Sequence, residues 1–408
     1  MSSTFSSVEQ APPIQVFQIN EMCKKDPSDL KVNMTIGAYQ DENAKPWVLP
    51  VVRMVERKIV EDPTLNHEYL PITGIPEYCE AAVELLLGDN SAPIVQKRAF
   101  AVQALGGTGS IRLGAEFLRF AGRDTVYIPK PTWPNHRSVF VAAHFPNVKD
   151  YTYLKSDKTG FGLEEMMKDL GDAPEGAIVI LHGCAHNPSG VDPKPEEWQQ
   201  IMQFMKEKKL FPFFDLAYQG FASGDPDKDA AAVRLFTENG FEFFTGQSFS
   251  KNFGLYGERV GALTVVLNDP DACIRVRSQM TRIVRALWSN PPTYGARVVA
   301  TVLRNPQYKK EWLANLNTMS QRIISMRHEL YRRLRELATP GCWKHIIEQQ
   351  GLFSYTGLKL NQVERLRNEF HIYLLNDGRA NMCGLTPSNV QHVAESIHTV
   401  VSDDAKGK

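Results

Sequence analysis

Short, nearly continuous apolar runs recur through the middle of the chain and alternate with segments whose apolar residues fall at helical spacing. Such runs predict strands buried on both faces, and the segments between them predict helices. We therefore predict an α/β fold with a largely parallel sheet covered by helices. The predicted strands are Ala101–Leu105, Thr125–Ile128, Gly176–Leu181, Phe211–Phe214, Phe241–Phe244 and Ala262–Val266.

After Asn290-Pro291-Pro292 the pattern becomes helical, with a long run of helical periodicity that ends at Pro340-Gly341. We predict an N-terminal arm over residues 1–12 and a large domain over residues 47–318. A small domain would combine residues 13–46 with residues 319–408. The further predicted elements are strands Lys31–Tyr39, Phe353–Leu358, Ile372–Leu375 and Ala380–Met382, and helices Pro50–Val60, Pro76–Leu87, Trp312–Leu337 and Thr386–Val401.

Polar side chains follow three of the central strands at the point where each is predicted to end. Asn187 follows the strand Gly176–Leu181, Asp215 ends the next with Tyr218 close behind, and Lys251 follows the third. In open α/β sheets, ligands bind at the carboxyl ends of the strands. We therefore expect these side chains to meet at one edge of the sheet.

Lys251 lies between Phe249 and Phe253, with Ser248 three residues before it and Arg259 eight residues after it. An amine in an apolar environment is more often neutral, and it can then form a Schiff base with a carbonyl. A hydroxyl and a guanidinium suit a phosphate. A phosphorylated aldehyde meets both demands, and pyridoxal phosphate is the common one. The alternative is a solvated lysine whose stem covers aromatic rings.

The glycine-rich stretch Leu105–Ser110 joins a predicted strand to the amphipathic helix Ile111–Ala121. Free N–H groups and the helix dipole at such a junction favour a bound phosphate. The stretch lacks the Gly-Lys-Ser/Thr ending of a P-loop and does not fit G-x-G-x-x-G, so a nucleotide site is disfavoured. A glycine-rich turn without a ligand is the alternative.

Asp215 is expected to be buried, and a buried carboxylate needs a partner. A protonated pyridine nitrogen would serve, although the carboxylate could instead cap the following turn. Tyr218 and Asn187 could donate hydrogen bonds to a phenolate oxygen. Alternatively, Tyr218 is a core residue and Asn187 forms a turn with the proline that follows it. Trp133 could stack on an aromatic ring or fill the core. His136 could hydrogen-bond Asp215.

Two further groups have competing interpretations. Arg285 and Arg379 could hold a dicarboxylate at its two ends, because arginine binds carboxylates in a planar fork, or each could pair with a carboxylate of the protein. His182 and His186 flank Cys184, but no further ligand cluster is apparent, so we predict no metal site.

Composition narrows the classes of partner. The 408 residues carry 46 Lys and Arg against 46 Asp and Glu, so no basic field indicates nucleic acid or an anionic membrane. The six cysteines are scattered and are predicted to be reduced packing residues. There is no apolar run of about 18 residues, and the N-terminus has no basic residue before Lys24. We predict a cytoplasmic protein with no membrane span.

The chain resembles the aspartate aminotransferases of the cytosolic animal type, among the fold type I pyridoxal-phosphate enzymes. The likeness runs from about Ala11 to Val401 and rests on motifs in family order. These are NHEYLPI, LGGTGS, PTWPNH, HGCAHNPSGVDP, FFDLAYQGFASG, QSFSKNFGLYGERVG, WSNPP and DGRANMCG.

The resemblance implies a large domain with a mostly parallel seven-stranded sheet, a smaller α/β domain, and a homodimer with shared active sites. It implies transfer of the amino group between L-aspartate and 2-oxoglutarate, with Lys251 as Schiff-base lysine and proton carrier. The implied cofactor-binding residues are Tyr69 of the partner subunit, Gly107, Thr108, Trp133, Asn187, Asp215, Tyr218, Ser248, Lys251 and Arg259. The implied substrate-binding residues are Gly37, Trp133, Asn187, Arg379 for the α-carboxylate and Arg285 of the partner subunit for the distal one.

Several positions depart from the family pattern. Gln40 stands where the family usually has Arg, Gly257 where it has Asn, and Ala380 where a β-branched residue is common; Pro134 follows Trp133. None of these removes a catalytic group. Rival functions are another pyridoxal-phosphate reaction on acidic or aromatic amino acids, a nicotinamide dehydrogenase, and a binding protein without catalysis.

Overall fold

The computed structural model describes residues 3–156 and 160–407 of the chain. Those ranges contain eleven strands, seven of which form one central sheet. The strands are β1 (Val32–Asn33), β2 (Ala99–Leu105), β3 (Thr125–Lys130), β4 (Asn147–Thr152), β5 (Ile178–His182), β6 (Phe211–Leu216), β7 (Phe243–Ser248), β8 (Val260–Val266), β9 (Phe353–Tyr355), β10 (Ile372–Tyr373) and β11 (Arg379–Asn381).

Sixteen α-helices lie in the same described ranges. Proline opens several of them, where its missing N–H leaves no hydrogen bond unmade. At the longest, the Asn305 side chain accepts from the backbone N–H groups of Gln307 and Tyr308 and caps the first turn. The helices are α1 (Gln15–Lys25), α2 (Pro50–Glu61), α3 (Pro76–Leu87), α4 (Ala92–Val95), α5 (Gly106–Phe120), α6 (Asn135–Ala142), α7 (Leu163–Asp169), α8 (Pro195–Glu207), α9 (Pro226–Asp229), α10 (Ala231–Glu238), α11 (Pro270–Leu287), α12 (Tyr294–Arg304), α13 (Pro306–Glu336), α14 (His345–Glu348), α15 (Leu360–Phe370) and α16 (Val390–Ala405).

The central sheet has the order β2-β8-β7-β6-β5-β3-β4, and only β8 runs against the others. Both of its faces are buried, because successive side chains point to opposite sides. Phe213 packs with Ile111 of α5 on one face, while Phe214 packs with Trp198 of α8 on the other. The predicted α/β class and the mostly parallel seven-stranded sheet are confirmed.

Two predicted strand ends in the central sheet are wrong in ways that matter for the site. Strand β7 runs from Phe243 to Ser248, whereas the prediction ended it at Phe244. Its polar half stays paired with β8, as in the register of Gln247 with Ala262, so hydrogen bonding rather than apolar character sets its length. For the same reason β6 continues past Asp215 to Leu216.

The glycine-rich stretch is also helix rather than turn, because α5 begins at Gly106 instead of Ile111. Strand β4 was missed, since Asn147–Thr152 is a mostly polar edge strand without an apolar run. The N-terminal strand is shorter than predicted, Val32–Asn33, and the last helix begins at Val390.

Two small sheets lie outside the central one. Strand β1 pairs in parallel with β10, and β9 pairs antiparallel with β11. The first of these sheets therefore joins the beginning of the chain to its last third, as the predicted small domain requires, and the second lies within the last third. The division at residues 12, 46 and 318 stays a prediction.

Within the described ranges, none of the helices is both long and apolar enough to cross a membrane. All six cysteines are free, and only Cys342 is exposed. The predicted role of the other five as buried packing residues fits this placement.

Candidate active site

A cavity opens at the carboxyl ends of β5, β6 and β7. Ten of the thirteen predicted site residues line it, and Tyr69, Arg285 and Arg379 do not. The complete lining is Gly37, Gly107, Thr108, Ile111, Trp133, His182, Asn187, Asp215, Ala217, Tyr218, Ser248, Ser250, Lys251, Tyr256 and Arg259.

One end of the cavity is rich in hydrogen-bond donors. The first turn of α5 has neither an acidic residue nor a side-chain cap, so its N–H groups are free to bind an anion. A side chain at Gly106, where φ is +69°, would collide with the guanidinium of Arg259. That guanidinium donates to the carbonyl of Tyr256 at 2.9 Å and to Ser250 Oγ at 3.4 Å, which fixes it beside the helix start.

The opposite end of the cavity holds the carboxylate of Asp215, which is 8% exposed. Its Oδ2 accepts a hydrogen bond from His136 Nε2 at 2.8 Å. Burial raises the pKa of Asp215, but the hydrogen bond from His136 and the nearby positive charge of Lys251 outweigh it, so the net pKa lies below its usual value. The predicted contact between His136 and Asp215 is confirmed.

A chain of hydrogen bonds fixes the direction of that donation. The backbone N–H of Asn187 donates to His182 Nδ1 at 3.3 Å, so the proton of His182 is on Nε2. His182 Nε2 then donates to Thr132 Oγ1 at 3.2 Å, and Thr132 donates to His136 Nδ1 at 2.8 Å. His136 is left with its proton on Nε2, directed at Asp215.

Lys251 follows β7 and carries its amine between the two ends of the cavity. Its Nζ lies 5.0 Å from the centre of the Tyr218 ring. Burial lowers the pKa of Lys251, although the nearby Asp215 carboxylate opposes this. Burial raises the pKa of Tyr218, which therefore keeps its phenolic proton. The amine is thus neutral more often than a surface lysine, and a hydroxyl donor lies beside it.

Arg379 is the first residue of β11 rather than part of the preceding loop, and it is 7% exposed. Its guanidinium lies 4.4 Å from the centre of the Phe353 ring and donates to Asn187 Oδ1 at 3.3 Å and to the carbonyl of Thr35 at 3.4 Å. Its Nε has no partner among the described residues. Burial lowers the pKa of Arg379, so the pocket gains from an added anion.

Gly37 packs against the same Phe353 ring as this arginine. A side chain there would place a Cβ 2.7 Å from Phe353 Cζ, so only glycine lets the two segments approach. The predicted involvement of Gly37 thus has a steric basis.

Tyr69 and Arg285 lie apart from the cavity on the surface. Tyr69 is 81% exposed. Arg285 is exposed at the end of α11, where its guanidinium donates to Ser289 Oγ. One protomer alone therefore does not bring the two predicted partner-subunit residues into its own cavity.

Five lining residues were not predicted to contribute to the site: Ile111, His182, Ala217, Ser250 and Tyr256. Ser250 is one residue before Lys251, and its hydroxyl could have been recognised beside Ser248 as a second phosphate donor. Tyr256 gave no sequence signal, since its hydroxyl reaches the site by accepting from the backbone N–H of Tyr39 at 2.9 Å.

The departures from the family pattern fit the structure without strain. Ala380 is 1% exposed in β11, and Gln40 pairs with Pro46 through a backbone bridge. Gly257 lies in open space, with nothing within 4 Å of an added Cβ. Pro134 immediately precedes α6.

His136, His182 and Asp215 bring their ligand atoms within 4.8 Å of one another. The hydrogen-bond chain through Thr132 accounts for this cluster, since every bond in it joins a donor to an acceptor. The ring of His186 packs on Tyr153 with ring centres 3.6 Å apart and against His182 at 4.4 Å, but its ligand atoms do not belong to the group.

Comparison with known proteins places this geometry in context. Residues 29–397 match the family model "Aminotransferase class I and II". The chain is 54% identical to the cytoplasmic aspartate aminotransferase of Gallus gallus, over 98% of this chain and 99% of the relative. The structure of aspartate aminotransferase from the cytoplasm of Saccharomyces cerevisiae matches with a TM-score of 0.95 and 42% identity, over 98% of both chains. An aromatic-amino-acid aminotransferase from Burkholderia pseudomallei, covalently bound to pyridoxal phosphate, also matches with a TM-score of 0.95 and 42% identity, over 98% of this chain and all of the other.

Proposed function

The chain belongs to the class I and II aminotransferase family, and we propose that it transfers the amino group of L-aspartate to 2-oxoglutarate, giving oxaloacetate and L-glutamate. It is a pyridoxal-phosphate-dependent transaminase. The observation that carries the proposal is one cavity with a helix start at one end, a buried carboxylate at the other and the Lys251 amine between them.

The donor set of the cavity fits pyridoxal phosphate. The free N–H groups of α5, with Thr108, Ser248 and Arg259, suit the phosphate. The Asp215 carboxylate, kept ionised by His136, suits a protonated pyridine nitrogen. Gly107 leaves room at the helix start, Trp133 offers a ring face, and Asn187 and Tyr218 offer donors to the phenolate oxygen.

When bound, pyridoxal phosphate supplies an aldehyde that condenses with amines and a cationic ring that withdraws electrons from the substrate's α-carbon. Lys251 has two tasks in this proposal. Its Nζ would hold the cofactor between turnovers, and as a free amine it would take the proton from the substrate's α-carbon. A lowered pKa serves both tasks, because both need the neutral amine.

Arg379 is the proposed binding group for the substrate's α-carboxylate. It is buried, rigidly supported by Phe353, and has an unpartnered Nε. Asn187 holds one of its Nη atoms, and Gly37 bounds the same space. A carboxylate placed there gains a charged hydrogen bond in a site from which water is largely excluded.

We assign the distal carboxylate to Arg285 of a second protomer, in a homodimer with two shared sites. The supporting observations are that this arginine and Tyr69 are exposed on the surface, outside the cavity of their own chain, and that the named relatives act on a dicarboxylate. Tyr69 would reach the phosphate end of the partner's site. We also propose a cytoplasmic location, as in the named relatives, and the domain division given by the sequence.

The proposal is tested by the visible absorbance spectrum of the purified protein. A yellow protein is expected, whose band shifts when L-aspartate is added and returns when 2-oxoglutarate follows. Oxaloacetate must appear in the first step and glutamate in the second. Release of carbon dioxide without oxaloacetate would indicate decarboxylation, and a spectrum insensitive to aspartate but shifted by phenylalanine would indicate an aromatic substrate.

A further inference from the structure

The loop between β5 and α8 supplies Asn187, which serves several parts of the candidate active site. Its backbone N–H donates to His182 Nδ1 at 3.3 Å, at the start of the hydrogen-bond chain that ends on Asp215. Its side-chain Oδ1 accepts from Arg379 Nη1 at 3.3 Å, so its Nδ2 is the donor that the side chain can offer to the cavity. The position of this one residue therefore affects the groups proposed for the pyridine nitrogen, the phenolate oxygen and the α-carboxylate.

The two residues before Asn187 are held by a carboxylate that does not line the cavity. The backbone N–H of Ala185 donates to Asp192 Oδ2 at 2.7 Å, and the backbone N–H of His186 donates to Asp192 Oδ1 at 2.9 Å. An ionised carboxylate accepts on both oxygens. Burial raises the pKa of Asp192 to about 6, so the group is still ionised above pH 7.

The backbone of Ala185 has a conformation that needs such support. Its φ is +49°, in the left-handed region that is disfavoured for a residue with a Cβ. The two N–H groups that donate to Asp192 flank the Cα of Ala185, so the carboxylate fixes both backbone angles at this residue. Strained conformations of this kind persist where the surrounding structure holds them, and they are frequent at functional sites.

We propose that Asp192 is a positioning residue for the active site, because it holds Ala185 in its left-handed conformation and thereby places Asn187. The inference rests on the proposed function, since the phenolate oxygen that Asn187 serves is that of bound pyridoxal phosphate. Asp192 touches neither substrate nor cofactor in this proposal. Its loss should therefore change the surroundings of the cofactor without removing a group that takes part in the reaction.

Asp192→Asn tests the proposal with little change of shape. The amide keeps one acceptor oxygen but turns an NH₂ group toward the other backbone N–H, so one hydrogen bond becomes a repulsive contact. Asp26→Asn is the matched control. The Asp26 carboxylate accepts from the backbone N–H of Ser28 at 2.9 Å and from the Tyr373 hydroxyl at 2.7 Å, but it lies at the end of α1, outside the cavity lining.

The measurement is a spectrophotometric pH titration of the holoenzyme. Hydrogen bonds to the phenolate oxygen lower the proton affinity of the bound cofactor, so displacing the Asn187 amide should raise the pH midpoint at which the visible band shifts. A rise of about 0.5–1 pH unit is expected in Asp192→Asn, equivalent to one hydrogen bond. Asp26→Asn should keep the wild-type midpoint even where its Tm falls. A folded Asp192→Asn with the wild-type midpoint would overturn the inference alone, whereas a wild-type protein without a visible cofactor band would contradict the proposed function as well.

Ala185→Gly gives an independent check, because glycine adopts a φ of +49° without the cost of a Cβ. When Ala185→Gly is combined with Asp192→Asn, the loop should depend less on the carboxylate, and the midpoint should return part of the way to that of the wild type. A double variant shifted as far as the single one would show that Asp192 does not act through Ala185. Crystals of the Asp192→Asn holoenzyme should show Asn187 Oδ1 displaced from Arg379, and an unmoved Asn187 would also overturn the proposal.

Discussion

The candidate active site has two halves that differ in how firmly the protein holds them. The inner half comprises the cavity lining together with Arg379, and the outer half comprises Tyr69 and Arg285. Arg379 is 7% exposed, stacked on Phe353 and hydrogen-bonded to Asn187 and a backbone carbonyl. Arg285 is exposed, with Ser289 as its side-chain contact.

The difference indicates that one chain alone arranges the groups for the reaction, whereas recognition of the substrate depends on a second protomer. The inner half is pre-organised, because burial, ring packing and hydrogen bonds hold its charged groups before any ligand arrives. The outer half contributes groups whose place is set only when a second protomer is present. Substitutions in the inner half should therefore slow the reaction itself. Substitutions in the outer half should change which substrate is preferred.

Lys251→Ala is expected to have the largest effect. It removes the group that both holds the cofactor and moves the proton, so kcat should fall by at least about 10⁴-fold, the upper end of what proton transfer alone contributes. Cofactor binding should persist, since Asp215 and the phosphate donors remain. The measurement is steady-state turnover together with cofactor content after dialysis. Turnover near that of the wild type would exclude Lys251 as the catalytic lysine.

Arg285→Asp is expected to invert the preference for distal charge. A substrate carboxylate opposite a carboxylate is repelled, so kcat/KM for aspartate should fall by about 10²–10³-fold while that for lysine or arginine rises. Arg282→Asp, one turn earlier on α11, makes the same charge change on the same helix as a control. If the first variant still strongly prefers aspartate, Arg285 does not bind the distal carboxylate.

The inner half could be predicted from the sequence, because its residues follow strands whose carboxyl ends must meet. Asp215 and Lys251 were found in this way, although both strands are longer than their apolar runs. Tyr256 was not found, since only the tertiary contact with Tyr39 brings it to the site. The mostly polar edge strand β4 was missed for a similar reason: its pairing with β3, not its composition, makes it a strand.

The outer half and Asp192 mark the limit of sequence reasoning. Motif resemblance alone indicated Tyr69 and assigned Arg285 to the partner subunit, since neither periodicity nor spacing tells which chain a surface residue serves. Asp192 falls within the motif HGCAHNPSGVDP, but only the folded loop brings its carboxylate back to the backbone N–H groups of Ala185 and His186.

His136→Leu tests how the inner half keeps Asp215 ionised. In the wild type the hydrogen bond from His136 and the nearby charge of Lys251 hold the Asp215 pKa below its usual value, so the carboxylate stays ionised until the pH falls through that lowered pKa. Without the hydrogen bond from residue 136, burial raises the pKa of Asp215, and its carboxylate becomes protonated at a higher pH than in the wild type. Each unit of this shift weakens cofactor binding about tenfold on the acid side.

The measurement for His136→Leu is the Kd of the cofactor for the apoprotein between pH 5 and pH 8. The acid limb should move to higher pH in His136→Leu, whereas His136→Gln, which keeps a donor in reach of Asp215, should stay close to the wild type. Parallel behaviour of the two variants would mean that His136 acts through packing rather than through its hydrogen bond.

The smallest expected change comes from mixing two damaged dimers, and it decides whether the outer half belongs to the partner. The Lys251→Ala and Arg285→Ala homodimers should each be severely impaired toward aspartate. In a hybrid of the two, one site carries both changes, while the other takes Lys251 from one chain and Arg285 from the other and is intact. Random pairing makes about half of the molecules hybrids, each with one good site of two, so activity should return to about a quarter of wild type.

The same mixture gives a different result if both residues serve the same protomer's site. Each hybrid would then contain two singly damaged sites, and no activity toward aspartate would return. The two chains carry different tags, and hybrids are purified on both tags in turn. An inactive hybrid can then be distinguished from a mixture in which no hybrid has formed. A doubly tagged hybrid without aspartate activity would contradict the shared site, and it would mean that Arg285 does not serve the active site of the partner. A hybrid with about half the wild-type activity per molecule would place the outer half on the partner, because only a site built from two chains can be restored by combining them.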